Sequence, residues 1–345
     1  MTTRPKTVSG AINTALHSLF EADPRVLLVG EDLLDPYGGA FKISKGLSTR
    51  WPDRVITTPI SEAAIVGVCG GMAMRGLRPI AEIMFGDFIL LAFDQILNSM
   101  AKFRMMYDGK ARCPVVIRTP MGGRRGYGPT HSQSVEKYLI GVPGLQVIAV
   151  SPYHPIDGMY RAAVLESEDP TVIIENKVMY GADHVPPVNG STGHFRVEQS
   201  PSANPTLTFS LNGFAPADVS LITYGGSVQL ALNVAERLLM EDEVFVEVVA
   251  LSQLSPPPIQ EIVPSIERTG RVVTIEEGTR RLGIGAELTS LIVESCWKSL
   301  RAPVKRVAAA DYIIPSSKPL EDCVLPGEKT IERAIGEVLG RQPRS

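Results

Sequence analysis

The chain has 345 residues, 44% of them hydrophobic and 21% charged, with a formal net charge of -3. That length predicts two α/β domains, each large enough to bury a core of its own. The charge excludes a basic surface of the kind that binds nucleic acid or anionic lipid. Cys69, Cys113, Cys296 and Cys323 are far apart and show no metal-ligand spacing, so they read as reduced and mostly packed. The N-terminal stretch lacks an apolar signal-type core, and no segment is apolar for the length of a membrane span. The expected compartment is the cytoplasm.

Helix and strand patterns alternate from the start. Val8 to Glu21 places Ile12, Ala15, Leu16 and Leu19 on one face of an amphipathic helix, and Val26 to Gly30 follows as a buried strand. A strand is predicted at Val55 to Thr57. The helix predicted over Ser61 to Arg75 is unusually smooth, because Ala63, Ala64, Gly67, Gly70, Gly71 and Ala73 leave it almost without side chains. Such a surface admits another backbone at close range.

A strand over Leu77 to Phe85, a helix over Phe88 to Met106 and a strand over Pro114 to Arg118 continue the alternation. The next stretch, MGGRRGYGPTHSQS from Met121 to Ser134, has nothing that could join a core. Beyond it come a helix near Ser134 to Ile140, a strand at Leu145 to Val150, a helix from Pro155 to Ser167 and a strand at Thr171 to Glu175. This order predicts a mostly parallel sheet covered on both faces, with ligands beyond the carboxyl ends of its strands.

Ala182 to Pro216 is proline-rich and without a sustained period, so it reads as an inter-domain connection with a strand or two in it. A second α/β run follows, with strands at Val219 to Thr223, Val244 to Val249, Arg271 to Ile275 and Val304 to Ala308. Helices are predicted at Ser227 to Met240 and Ile284 to Leu300. Few titratable residues of this lobe group near loop ends. The predicted division is therefore a first domain over 1–185, a linker over 186–216 and a second domain over 217–345.

Two residues stand out as candidates for chemistry. Glu62 in TTPISEAAIVG follows Ser61, a good N-cap, and its charge suits the first turn of a helix. Among small apolar neighbours it is also a carboxylate that burial can tune for proton transfer. His131 lies in the glycine-rich loop, and long loops of this kind in compact domains are commonly functional. It is an acid, base or hydrogen-bond donor, or simply a loop residue held by backbone bonds. Arg124 and Arg125 suit anionic groups or a neighbouring subunit. GIGAEL, from Gly283 to Leu288, lacks the last glycine of a dinucleotide fingerprint and reads as tight packing at a helix start. The chain has no phosphate-binding P-loop, no HExxH and no nucleophile elbow, so its nucleophile is expected to be borrowed.

Several stretches taken together carry a resemblance. GEDLLDPYGGAF, TTPISEAAIVG, GLRPIAEIMFGDFILLAFDQILNSMAK, GPTHSQS, DPTVIIENKVMYG, RTGRVVTIEEG and GIGAEL occur in that order from near Ser9 towards the C-terminus. They resemble the β subunit of the E1 component of 2-oxo acid dehydrogenase complexes, the pyruvate, branched-chain and acetoin group of transketolase-like, thiamine-diphosphate enzymes. The resemblance implies two doubly wound domains, a transketolase-like pyrimidine-binding domain and a transketolase C-terminal domain.

It also implies roles. Glu62 matches the glutamate that bonds the aminopyrimidine N1′, Phe88 the aromatic residue packed on that ring, and His131 the active-site loop histidine. Glu31 matches less directly, as a proton-relay or interface residue. Carbonyls near Val115 and Ala163 fall near a structural potassium (K+) site. The Mg2+-diphosphate GDG motif of these enzymes is absent here. The resemblance therefore implies an α subunit that supplies Mg2+ and the diphosphate half of the site in an α2β2 heterotetramer, and an E2 lipoyl acyltransferase or an acyl carrier protein as acceptor. Arg124, Arg125 and a C-terminal segment unlike the family's pattern leave an alternative, a two-component synthase that transfers a two-carbon or acyl unit to a carrier protein or sugar.

Overall fold

The computed structural model describes residues 6–211 and 216–341, folded as two α/β lobes. In the first, β1 (Val26–Gly30), β2 (Val55–Thr57), β3 (Arg78–Glu82), β4 (Val116–Met121), β5 (Gln146–Ala149) and β6 (Thr171–Asn176) are all parallel. The residues of β4 and β6 are buried throughout, as expected of strands covered on both faces. The helix Val8–Ala22 is opened by Thr7, whose hydroxyl accepts the Gly10 amide at 3.2 Å.

The segment expected to be a linker is largely structured. β7 (Ser191–Thr192), β8 (Phe195–Gln199) and β9 (Leu207–Leu211) form an antiparallel run at one edge of the second sheet. Phe195, Val197, Leu207 and Phe209 alternate inwards onto that lobe's core, a period-two pattern masked in the sequence by prolines and polar neighbours. Part of the expected linker, 212–215, lies outside the described residues.

The second lobe continues with β10 (Val219–Tyr224) and β11 (Val246–Leu251). Next, β12 (Gln253–Ser255) leaves its own lobe and pairs antiparallel with β5. β13 (Val272–Thr279) and β14 (Lys305–Ala309) complete the second sheet. The strand orders are β12-β5-β6-β4-β3-β1-β2 and β14-β13-β10-β11-β9-β8-β7. One apolar cluster runs through both lobes, from Val29 and Ile117 to Leu251 and Ile292. Each such fully buried aliphatic side chain contributes roughly 1.5–3 kcal/mol. The lobes are thus fused by core as well as by a shared strand.

Three predicted helices are irregular. Phe88–Met106 is a 3-10 segment at Gly86–Ala92, π turns at Gln95–Met100 and a short α-helix at Ala101–Met106. Ile156–Arg161 passes into π turns at Ala162–Glu166, and the helix expected near Ser134 to Ile140 is one 3-10 turn, Glu136–Tyr138. Side-chain period reports which face is buried, and it does not distinguish these tighter and wider turns from α-helix. The helices Ile259–Thr269, Lys318–Val324 and Glu328–Val338 add to the predicted set; the first carries Pro264 inside it, which breaks the local signal.

Candidate active site at the strand ends

The site residues gather beyond the carboxyl ends of β1, β2, β3 and β4. Glu62 opens the helix Glu62–Met74 and is 7% exposed. Ser61 takes the N-cap position, but its side chain makes no capping bond. Glu31 directly follows β1. Burial first, and then the charges of Glu62 and Asp32, push its carboxyl above the usual range. Its Oε1 is buried and has no hydrogen-bond partner among the described residues. Two carboxylates therefore share one partly desolvated corner.

The helix Glu62–Met74 packs against the segment Gly86–Ala92, which carries Phe88. There a cluster of rings forms. His131 meets Phe85 edge-on at 4.8 Å between centroids and Phe88 at 5.1 Å. Tyr127 closes on Phe85 at 5.9 Å. His131 Nδ1 shares a 2.9 Å hydrogen bond with Thr130 Oγ1, which leaves Nε2 without a protein partner among the described residues. Phe85 is the hub of this cluster and was missed by sequence reasoning, although it stands in the same FGDF stretch as Phe88.

The glycine-rich loop is clamped on every side. Gln133 donates its amide and its side-chain nitrogen to Asp87 Oδ1 at 3.2 and 2.9 Å, and Lys177 Nζ donates to the His131 carbonyl at 2.9 Å. Lys177 is fully buried, and burial pushes its amine down to about 8. From the second lobe, Glu277 Oε1 accepts the Gly123 amide at 2.6 Å and Glu321 Oε1 accepts the Arg124 amide at 2.6 Å. Gly122 explains itself here. Its φ is +91°, and a Cβ on it would stand 2.6 Å from both Asn176 Nδ2 and Glu277 Oε1.

The loop arginines make contacts within their own chain. Arg124 donates to the Pro326 carbonyl and sits 3.8 Å from Glu277 Oε2, while Arg125 donates to the Lys177 carbonyl at 3.1 Å and lies over the Phe41 ring. Both contacts help to hold the loop, and Arg125 remains exposed.

The second lobe also departs from its expected poverty in grouped titratable residues. Glu276, Glu277 and Glu321 are buried at the seam with Glu136 of the first lobe, whose carboxylate accepts the Tyr224 hydroxyl. Burial and then the Glu136 charge push Glu276 up to about 8. The GIGAEL stretch wraps this group: Gly285 N donates to Glu276 Oε1 at 3.1 Å, and a Cβ on Gly285 would lie 2.8 Å from that oxygen. The helix start reads as tight packing because it encloses a carboxylate of its own chain.

Beneath the site lies another network that sequence reasoning missed. Arg118 on β4 is wholly buried, bonded to Glu175 at 2.8 and 2.5 Å and to Glu82 at 2.6 Å. Tyr180 donates to Glu175 at 2.7 Å, and Tyr160 joins the same carboxylate. A lone arginine within the β-branched run VVIRTP was the available signal. Of the expected potassium carbonyls, Val115 accepts the Thr171 amide at 2.9 Å. Ala163 lies in π turns whose neighbouring carbonyls, Val164 and Ser167, already receive the Arg78 guanidinium. Among the described residues no cluster of His, Cys, Asp or Glu could hold a metal ion.

A family model described as Transketolase, pyrimidine binding domain, matches residues 4–182, and one described as Transketolase, C-terminal domain, matches 215–331. The pyruvate dehydrogenase E1 component subunit beta, mitochondrial, of Saccharomyces cerevisiae is 35% identical over 344 residues, covering 98% of this chain and 90% of that protein. The chain belongs to the E1 β-subunit family of 2-oxo acid dehydrogenases. The 3-methyl-2-oxobutanoate dehydrogenase subunit beta of Mycobacterium tuberculosis is 36% identical, covering 99% of this chain and 94% of that one. The acetoin:2,6-dichlorophenolindophenol oxidoreductase subunit beta of Cupriavidus necator is 34% identical, covering 97% and 98%. Among solved structures, a split gene transketolase, described as an inactive beta4 tetramer, superposes with a TM-score of 0.73 at 22% identity over 97% of this chain and 98% of that one. At that identity the likeness concerns the fold, and it agrees with an E1 β subunit built from two transketolase-type domains.

Proposed function

We propose that this chain is the β half of a thiamine-diphosphate-dependent 2-oxo acid dehydrogenase E1, decarboxylating a 2-oxo acid and passing the acyl unit to an acceptor such as a lipoyl group. The observation that carries the reading is the pair Glu62 and Glu31, a buried first-turn carboxylate facing a second carboxyl whose buried oxygen has no partner among the described residues. The corner fits a cofactor ring that offers hydrogen bonds to acids. Glu62 would hold the aminopyrimidine at its N1′ atom, and Phe88 would meet the ring face. When bound, thiamine diphosphate supplies the nucleophilic carbon and the electron sink that this chain lacks.

Glu62 holds or releases a proton at its carboxylate, and Glu31, held protonated more readily by burial and repulsion, stands next to it as a relay. His131, fixed by Thr130 at Nδ1 and by two rings, presents Nε2 to whatever enters, so its part is to orient substrate or acyl acceptor. Phe85 and Phe88 flank the His131 ring, and Tyr127 stands against Phe85. The Mg2+ ligands are assigned to the α subunit. The Arg78 guanidinium on the Val164 and Ser167 carbonyls supplies a cation of the chain's own where potassium would be sought near Ala163.

The α partner would cover the open face of the helix Glu62–Met74, where Ala64, Gly67, Val68, Gly71 and Met74 are exposed in helical register. An E2 acyltransferase is the acceptor we favour over a carrier protein, in keeping with the E1 β subunits that the chain resembles, and Arg124 and Arg125 each already donate to a carbonyl of the chain. We place the enzyme in the cytoplasm, with Cys69, Cys113 and Cys296 buried and unpaired. No helix among the described residues is long and apolar enough to cross a membrane.

The test is co-expression with an α-type subunit, followed by assay of a panel of 2-oxo acids with thiamine diphosphate, Mg2+ and an artificial electron acceptor. Turnover is expected only with both chains present. An assembled complex that turns over none of the acids overturns the reading.

A further inference from the structure

The edge of the second sheet carries a concentration of positive charge that the proposed chemistry does not use. A cavity of about 190 Å³ opens between β14 and the helix Glu328–Val338, with Arg280, Lys305, Arg306, Arg333 and Glu337 on its walls. Four cations thus line the cavity with one carboxylate, Glu337, while Arg306 also acts on the buried Glu276 carboxyl behind it. The carboxylate is already claimed, since Lys305 Nζ lies 2.7 Å from Glu337 Oε2. Arg306 donates to the Arg280 carbonyl at 3.3 Å. Lys305 first, and then Arg333 and Arg280, help hold the Glu337 carboxyl below its usual range, but neither arginine makes a hydrogen bond or ion pair with it.

These arginines are brought together by the fold. Arg280 follows β13, where its amide bonds the Ala309 carbonyl at 3.2 Å; Arg306 is on β14, and Arg333 is on a helix packed across both strands. Holding like charges around one cavity is unfavourable unless an anion offsets them. The planar fork of a guanidinium matches phosphate and carboxylate oxygens, and several forks around one point favour the more highly charged phosphate. The cavity is smaller than the pockets that hold drug-sized ligands, and its floor of Val307, Ala308 and Ala334 offers no stacking surface for a base.

We propose that this cavity is a binding site for a phosphate group, either free inorganic phosphate or the head of a small phosphomonoester, separate from the site at the strand ends of the first lobe. Arg280, Arg306 and Arg333 grip the anion, and the Lys305–Glu337 pair fixes the cavity's outer wall. The arrangement contrasts with Arg124 and Arg125, each of which donates to a backbone carbonyl of its own chain.

The test is titration calorimetry on the full chain at low ionic strength, with inorganic phosphate and glycerol 3-phosphate as probes and chloride at matched ionic strength as the control. Saturable one-to-one binding is expected, weakened about ten-fold by Arg280→Gln and again by Arg333→Gln, with Arg333→Lys, which keeps the charge and loses the fork, falling between wild type and Arg333→Gln. Tighter binding of glycerol 3-phosphate assigns the site to a phosphomonoester, and equal binding assigns it to the free ion. Both arginines are exposed, so the substitutions leave the core intact, which circular dichroism checks. Absence of saturable binding, or identical binding by wild type and both glutamine variants, overturns the proposal.

Discussion

The Gly123 amide and the Glu277 carboxylate meet at 2.6 Å although 154 residues separate them in sequence. One lobe carries the loop with His131, and the other shares in fixing where that loop lies. Glu277→Ala removes the acceptor and leaves a buried amide unpaired, at a cost of about 1–3 kcal/mol. We expect turnover to fall and proteolysis within the Met121 to Ser134 loop to speed up, while cofactor affinity changes little. Glu277→Gln keeps an acceptor for the Gly123 amide but turns an NH2 towards Asn176 Nδ2, which donates to the other oxygen at 3.2 Å, so it should recover part of the loss. Equal loss in both variants would show that the charge near Arg124 matters and the amide bond does not.

Glu62 and His131 separate by what they affect. Glu62→Gln preserves the size of the side chain and abolishes its proton exchange, so turnover should drop by about 100-fold or more with assembly intact. His131→Ala should leave cofactor binding in place and lower turnover or raise KM for substrate. Steady-state kinetics beside cofactor titration read both, and unchanged turnover in either variant removes that residue from the mechanism.

The seam of buried acids predicts a dependence of stability on pH. The folded-state pKa of Glu276 is raised from 4.5 to about 8, so the folded chain holds this proton more tightly than the unfolded one. Its contribution is fully present below about 4.5 and is lost as the pH climbs towards 8. Wild type should therefore lose stability between about pH 5 and 8.5, and Glu276→Gln should flatten that decline, with urea midpoints at several pH values as the measurement. Parallel curves for the two proteins would assign the decline to other groups.

Arg118 is the sole guanidinium bonded to the two buried carboxylates Glu82 and Glu175 among the described residues. Arg118→Met keeps much of the volume and strands both acids, so stability should fall by about 3–5 kcal/mol. Chemical denaturation provides the number. A loss below about 1 kcal/mol would mean that the carboxyls simply take up protons.

A Cβ placed on Gly71 would have nothing within 4 Å, and the residue is exposed on the smooth helix. Gly71→Trp should therefore leave the isolated chain folded, with an unchanged melting temperature, and block assembly with the α subunit. Size-exclusion chromatography of the co-expressed pair distinguishes this from a helix face that stays in solvent.

By itself the sequence determined the alternation of parallel strands and helices, because apolar period and turn residues are local properties: β1 and β2 run over the residues predicted for them. It also picked out Glu62, Phe88 and His131, through motifs whose order along the chain carries the family resemblance. Only the tertiary structure decided what these residues touch. The strand β12 returns to the first sheet, Glu277 reaches across the seam to the loop, Arg118 gathers acids from two other strands, and Arg280 converges with Arg306 and Arg333. Each is a contact between distant segments, fixed by where whole elements pack. A run of residues carries no record of its distant neighbours, and the energies of burial and charge that act there depend on those neighbours alone.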